Sequence, residues 1–323
     1  MDNLARNMSS ASTITRLDRF DYEKRIREIV RRSPIEAHDR VKCVWHVFGG
    51  VHGKTATVVA GVHGNEHSGV WAMMKLMSEI VSGTLELKEG QVTFVLGNPE
   101  ALKQNLRLIK YNLNRVFGRS DIQDQQFYEC IRSREIAPFL VETDSIFDLH
   151  STSSVSPPFG LVYRQNVRAT IAMGLPHVVY GGEELFRSVV RGTTAGWSEA
   201  HGIPGFVFES GKHMAPNTFR NAYRYLRGYL DYMGVIPYVR SKDDYEVTQC
   251  YRLYDCQYLK SRDFEYVRDF QTLDWLKPGT VIGSYPGMEL GVDRYSVVVM
   301  PTKVQNLQLG EEMFYLAAPT VWS

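Results

Sequence analysis

The sequence predicts an α/β fold: a mixed, largely parallel sheet flanked by helices, with a smaller β-rich C-terminal domain. Two patterns carry this expectation. Between residues 44 and 233, short apolar runs alternate with stretches at helical spacing, which implies strand–helix alternation and a mostly parallel sheet. From 245 to 318 the chain is rich in Tyr, Val and Phe, has no long helical pattern, and is broken at Lys277-Pro278-Gly279, Tyr285-Pro286-Gly287 and Met300-Pro301. The length of 323 residues, 44% apolar, allows one large core and a second small one.

The elements follow in chain order. Residues 1–20 lack the apolar run of a secretory signal. Arg6, Arg16, Arg19 and several Ser suit an organelle presequence, whereas Asp2, Asp18 and Asp21 oppose one. Residues 23–32 alternate charge with Ile and Val at helical spacing and predict an amphipathic helix. Val44 to Phe48 and Ala56 to Ala60 read as neighbouring strands joined by the Gly-rich stretch from Gly49 to Gly53. Val70, Met73, Met74, Met77, Ile80 and Val81 mark one face of a helix over 66–81. Gln91 to Leu96, Ser145 to Leu149 and the short run Phe206 to Phe208 read as further strands, and 217–233 as a helix. Pro237 through Asp244 is polar and charged, a linker. The expected division is an N-terminal extension with a helix (1–40), a catalytic domain (41–238) and a β-rich cap (239–323).

Composition excludes several classes. The chain has 37 basic and 36 acidic side chains, a net charge of +1, so it has no overall attraction to nucleic acid or an anionic membrane. No run reaches the roughly 18 apolar residues of a membrane helix. Cys43, Cys130, Cys250 and Cys256 form no C-x-x-C and no zinc-ribbon spacing. Reduced, buried thiols in a cytoplasmic protein are the expectation. A homo-oligomer is compatible with the sequence.

Four segments carry candidate chemistry. His63-Gly64-Asn65-Glu66 stands where a buried strand ends and a helix begins, the edge where open α/β sheets place their sites. An imidazole and a carboxylate three residues apart suit zinc; the same tetrapeptide also reads as a helix start with Asn65 as its cap and Glu66 near the dipole. Asp148-Leu149-His150 ends another strand, and residues two apart share a face, so Asp148 is placed to orient His150. The plainer alternative is a buried Asp paired with a structural His. Together His63, Glu66 and His150 give two imidazoles and one carboxylate, which leaves zinc one open position. Glu209, in Phe208-Glu209-Ser210-Gly211-Lys212, is a candidate proton carrier at a strand end. It reads equally as a surface turn residue paired with Lys212. Arg107, Asn114 and Arg115 suit carboxylate recognition, or form a solvated basic segment with Lys103, Lys110 and Arg119. His52 and His67 read as bland, and His213 either lines the pocket or lies at the surface.

In order, H-G-N-E, R-(x)6-N-R-x-F, D-L-H and E-x-G-K resemble the succinylglutamate desuccinylase/aspartoacylase family, relatives of the zinc carboxypeptidases. The resemblance runs from about Gly49 to Gly234, and more loosely into 240–318, where that family has a β-rich cap. It implies one Zn2+ per chain held by His63, Glu66 and His150. It implies Glu209 as general base and acid, and Arg107 as the group that polarises the scissile carbonyl. Asn114 and Arg115, with Lys212 nearby, would hold the substrate carboxylate. The implied reaction is Glu-assisted attack of zinc-bound water on the amide of a small anionic N-acyl amino acid.

Two departures stand out, the first in a supporting interaction and the second in substrate recognition. The family commonly has D-L-N-R, and here Asn112 replaces the acid. Acetylaspartate-cleaving members carry an arginine about ten residues before the catalytic Glu, and Gly196-Trp197-Ser198-Glu199-Ala200 has none. The acyl amino acid therefore stays unnamed. The alternatives are a zinc carboxypeptidase on short peptides or cell-wall fragments, and a non-catalytic zinc-binding relative.

Overall fold

The structure is a computed structural model that describes residues 20–31, 33–181, 183–237 and 248–322. The presequence-like residues Arg6, Arg16 and Arg19, and the linker from residue 238 to 244, lie outside the described residues.

The chain order is α1 (Tyr22–Val30), β1 (Glu36–Ala37), β2 (Val44–Phe48), β3 (Thr55–Ala60), α2 (His67–Val81), β4 (Gln91–Leu96), α3 (Pro99–Gln104) and α4 (Tyr128–Ile136). Then come β5 (Ser145–Thr152), β6 (Phe159–Tyr163), α5 (Val167–Ala172), β7 (His177–Gly181), α6 (Glu183–Val189), α7 (Thr194–Ala200), β8 (Gly205–Lys212) and α8 (Pro216–Tyr232). The rest is strand: β9 (Gln249–Tyr258), β10 (Glu265–Tyr266), β11 (Trp275–Leu276), β12 (Val281–Tyr285), β13 (Met288–Gly291), β14 (Ser296–Val299) and β15 (Glu312–Thr320). This is a mixed α/β sheet with flanking helices and a smaller β-rich C-terminal region.

Among the described residues one sheet runs β1-β2-β4-β3-β5-β8-β6-β7-β9-β15-β14-β11. Its centre, β4-β3-β5-β8, is parallel. These strands are apolar and buried along nearly their whole length, as expected when both faces are covered. On one face α1, α2 and α8 bury a core with Phe147, which stacks on Tyr229 at 4.7 Å. On the other, Val59, Ile146 and Leu113 pack beneath α4 and α7.

Strands β2 and β3 are not neighbours, contrary to the sequence expectation, because β4 lies between them. The loop from Gly49 to Lys54 is long enough to step over one strand. The start of β4 fills the gap: Gly49 N donates to Gly90 O, Gly90 N to His52 O and Gln91 N to Lys54 O. The run at Phe206 is also longer than its apolar core suggests, since β8 continues through Glu209 to Lys212.

The C-terminal strands continue this same sheet. β9 runs parallel to β7, and β15 pairs antiparallel with β9. β10, β12 and β13 form a separate small sheet over the cluster of Phe264, Ile282 and Phe314. The C-terminal region is thereby attached through backbone hydrogen bonds, and β15 begins beside the loop that carries Arg115.

Candidate metal and catalytic site

The centre assembles at the carboxyl ends of β3, β5 and β8. At the end of β3, Gly61 adopts φ +69, and its missing Cβ leaves room for Leu102. The turn then brings Gly64 against the backbone of α3, where a Cβ would lie 2.1 Å from Ala101 C. This close approach sets His63 and Glu66 over the sheet edge.

His63, Glu66 and His150 are buried, and one ligand-type atom from each lies within 4.8 Å of the others. His63 Nδ1 is 2.9 Å from Glu66 Oε1, and His150 Nδ1 is 2.9 Å from Glu66 Oε2. Ser151 N donates to Glu66 Oε2 at 3.1 Å, and Arg107 Nη1 to Oε1 at 3.4 Å. Glu66 stands at the N-cap of α2, just before His67, but its side chain makes no capping bond there. Its side chain serves the imidazoles instead, which decides against the simple helix-start reading. Asn65 does not cap the helix either: its Oδ1 is buried without a partner among the described residues.

Each imidazole has a polar group behind it. His63 Nε2 is 3.0 Å from Asn112 Oδ1, the same oxygen that accepts Asn114 N at 2.9 Å. Asn112 therefore presents an acceptor, and Nε2 of His63 is the donor. His150 Nε2 is 2.9 Å from Asp148 Oδ2, in ion-pair contact but not aligned as a hydrogen bond. Asp148 is fully buried, and Thr194 Oγ1 donates to it from the start of α7.

Burial, reinforced by the Arg107 charge, lowers the His63 pKa to about 4. A neutral His63 that donates through Nε2 turns the lone pair of Nδ1 toward a carboxylate oxygen. Burial alone would raise the Glu66 pKa, but the two imidazoles hold that carboxyl well below the usual range. Two acceptors thus face each other at 2.9 Å, which a cation between them resolves. The donor set, its burial and the groups behind each ring fit a zinc ion.

Glu209 is cross-strand neighbour to His150 and is itself buried. Its Oε2 has no hydrogen-bond partner among the described residues. Burial pushes its pKa up to about 8, against the opposing pull of His150. The surface-turn reading of Glu209 and its pairing with Lys212 do not hold, since Glu209 is enclosed and Lys212 is exposed. His213 does approach the site: Nδ1 is 2.7 Å from Ser151 Oγ, and burial lowers its pKa.

The remaining expected residues divide. The Arg107 side chain is half exposed and leans on Glu66. Asn114 is buried, and its Oδ1 accepts Thr194 N at 3.0 Å. Arg115 Nη2 is 3.3 Å from Glu312 Oε1 at the start of β15, and Nη1 donates to Asn114 O. His67 is structural: it bonds Tyr22 Oη and Asn105 Oδ1 and stacks on Phe20. Sequence reasoning missed Thr194 and Glu312. Neither sits in a motif, and each meets its partner only through the fold.

Residues 52–233 match the succinylglutamate desuccinylase/aspartoacylase catalytic domain. A probable aspartoacylase of Prochlorococcus marinus is 36% identical over 112 residues, covering 31% of this chain and 34% of that protein. A succinylglutamate desuccinylase of Shewanella pealeana is 26% identical over 152 residues, covering 46% of this chain and 41% of that protein. The chain thus spans only about a third to two fifths of these curated relatives. The succinylglutamate desuccinylase of Chromobacterium violaceum shares the fold, with a TM-score of 0.71 at 17% identity over 94% of this chain and 98% of that one. The matched catalytic domain covers more than half of the chain and contains His63, Glu66, His150 and Glu209, so the chain belongs to the succinylglutamate desuccinylase/aspartoacylase family.

Proposed function

We propose that the chain is a zinc-dependent deacylase that hydrolyses the amide bond of a small anionic N-acyl amino acid. The observation that carries this reading is the buried His63–Glu66–His150 group with Glu209 beside it. When bound, zinc supplies a Lewis acid with one open position and lowers the pKa of water there. His63 and His150 would offer Nδ1, held in place by Asn112 and Asp148, and Glu66 a carboxylate oxygen. Glu209 would take a proton on its unpaired Oε2 and return it to the leaving amine. Burial suits it to this exchange by moving its pKa toward neutrality. Arg107 would turn from Glu66 to the substrate carbonyl, where a guanidinium donor is worth about 3 kcal/mol by comparison with other oxyanion donors. Asn114, Arg115 and Lys212 form the proposed carboxylate-binding side.

The C-terminal region supports a small substrate over a peptide. Glu312 reaches Arg115, and Thr272 N donates to Val155 O just beyond β5. The units of this reading are the extension 1–40, the hydrolase 41–238 and the cap 239–323. The four free, buried cysteines are consistent with a cytoplasmic site of action. No helix among the described residues is long and apolar enough to cross a membrane.

The test is metal analysis of the purified chain together with a panel of N-acetyl and N-succinyl amino acids. One zinc per chain is expected, with hydrolysis lost on chelation and restored by zinc. A zinc-loaded chain that hydrolyses nothing in the panel, and shortens tripeptides instead, overturns the reading.

A further inference from the structure

A cavity of about 1200 Å³ lies apart from the catalytic centre. None of His63, Glu66, His150, Glu209 or Arg107 lines it. β6 places it. Phe159 pairs with Glu209, but Val162 pairs with Phe206, so by Tyr163 the chain has reached the opposite edge of the sheet. Glu199 in the cavity wall accepts Gly205 N, at the start of β8 rather than its end.

Five guanidinium groups line this cavity: Arg119, Arg164, Arg168, Arg187 and Arg191. Asp121 pairs with Arg119 at 2.6 Å and stands 4.0 Å from Arg191. The one lining carboxylate, Glu199, is taken up by Gln165 Nε2, Asn166 Nδ2 and Gly205 N. Arg164, Arg168 and Arg187 have no carboxylate within 4.0 Å among the described residues. Arg164 and Arg168 stand four apart in one contiguous helical stretch, a like-charge spacing that weakens a helix. The fold gains nothing from that placement, whereas an anion does.

The wall between the arginines is aromatic. Tyr163 and Phe186 meet edge to face at 4.8 Å, Tyr180 and Trp322 at 5.2 Å, and Trp197 lies on the side of α7. The indole N–H groups of Trp197 and Trp322 are buried without an acceptor among the described residues. Guanidinium groups recognise phosphate oxygens through paired donors. Aromatic faces accept a planar base by stacking. The volume lies somewhat above the usual range for small-molecule sites, roughly 300–1,000 Å³, which leaves room for a ligand of nucleotide size.

We propose that this cavity is a second ligand site, separate from the metal centre, for a nucleoside polyphosphate. Arg164, Arg168 and Arg187 would hold the phosphates, and the aromatic wall the base.

The test uses the full chain and ATP, tripolyphosphate and adenosine as probes, read by calorimetry and by tryptophan fluorescence. ATP is expected to bind saturably in the sub-millimolar range and to weaken as salt rises, with tripolyphosphate competing and adenosine alone much weaker. Arg164→Gln/Arg168→Gln should weaken ATP by about tenfold or more. Arg187→Ala, on a different element, should act in the same direction. All three side chains are exposed, so melting temperature and deacylase activity without ATP should be unchanged. No saturable binding up to about 5 mM ATP, a range set by ordinary weak affinities, would overturn the proposal. So would binding that both variants leave intact, or a dimer lost in both variants with no nucleotide bound, since the arginines would then face a second copy.

Discussion

Arg115 Nη2 and Glu312 Oε1 stand 3.3 Å apart, joining the proposed carboxylate-binding loop to the first residue of β15. The pair is partly exposed, so its worth lies within the range for surface ion pairs, about 0.2–1 kcal/mol. A carboxylate of the chain occupies the guanidinium that a substrate carboxylate would use. Glu312→Gln removes that competitor. KM for an N-acyl amino acid is expected to fall by about two- to fivefold, with kcat little changed, in steady-state kinetics. A rise in KM would show instead that Glu312 contacts the substrate directly.

Glu209 is a buried carboxyl whose Oε2 has no hydrogen-bond partner among the described residues, beside the candidate metal-binding group. Glu209→Gln keeps its volume and removes its proton exchange. The expected loss in kcat is about 10²–10⁴-fold, with one zinc still bound per chain by metal analysis. Retained turnover would remove Glu209 from the mechanism.

What the sequence makes legible follows from local rules. β3, β4 and β5 are continuous buried runs, so their hydrophobicity alone marks them. His63, Glu66 and His150 lie where those strands end, and strand ends in an α/β sheet point to one edge. Adjacency is less legible. β4 enters between β2 and β3 because of a loop length that no periodicity reports. Glu312 is 197 residues from Arg115, at the start of an ordinary-looking strand, and only the β9–β15 pairing brings it close. The arginines of the cavity come from three separate stretches of chain, at Arg119, at Arg164 and Arg168, and at Arg187 and Arg191, and only the fold brings them together.

Asn112 and Asp148 stand behind His63 and His150, and one is neutral where the other is charged. A carboxylate behind a ligand imidazole raises its basicity, and groups in that position are worth about 10–100-fold in metal affinity. Asp148→Asn is expected to weaken zinc binding within that range. Asn112→Asp should strengthen it, since the new acid keeps the acceptor for Asn114 N and adds charge behind a His63 ring whose own pKa is low. Competition with a chelator of known affinity measures both. Equal affinities in all three proteins would show that neither group acts through its ring.

Gly64 is packed against backbone. A Cβ there would meet Ala101 C at 2.1 Å, and Gly64 N donates to Arg107 O at 3.2 Å. Neither side is a flexible side chain that can yield. Gly64→Ala should therefore cost about 3 kcal/mol, near the upper end for an overpacked site, and displace His63 and Arg107 together. The expected result is a lowered melting temperature with loss of bound zinc. Gly83→Ala is the control, because nothing lies within 4 Å of the corresponding Cβ and only its φ of +72 opposes the change.

His150 lies between Glu66 and Asp148. Burial disfavours its cation, but the two carboxylates outweigh that and hold its pKa well above the ordinary 6.5. A raised folded pKa gives the metal-free protein a stabilising contribution. That contribution is full below about pH 6.5 and lost as pH rises through the folded value. Zinc requires the neutral ring, so the same proton must leave when the metal binds. At pH 7, calorimetric zinc titrations in two buffers of different ionisation enthalpy should show release of about one proton per zinc. Zinc affinity should rise from about pH 6 to pH 8, while the melting temperature of the metal-free protein should fall as pH climbs through the His150 pKa. Zinc binding without proton release would mean that His150 is already neutral between its two carboxylates.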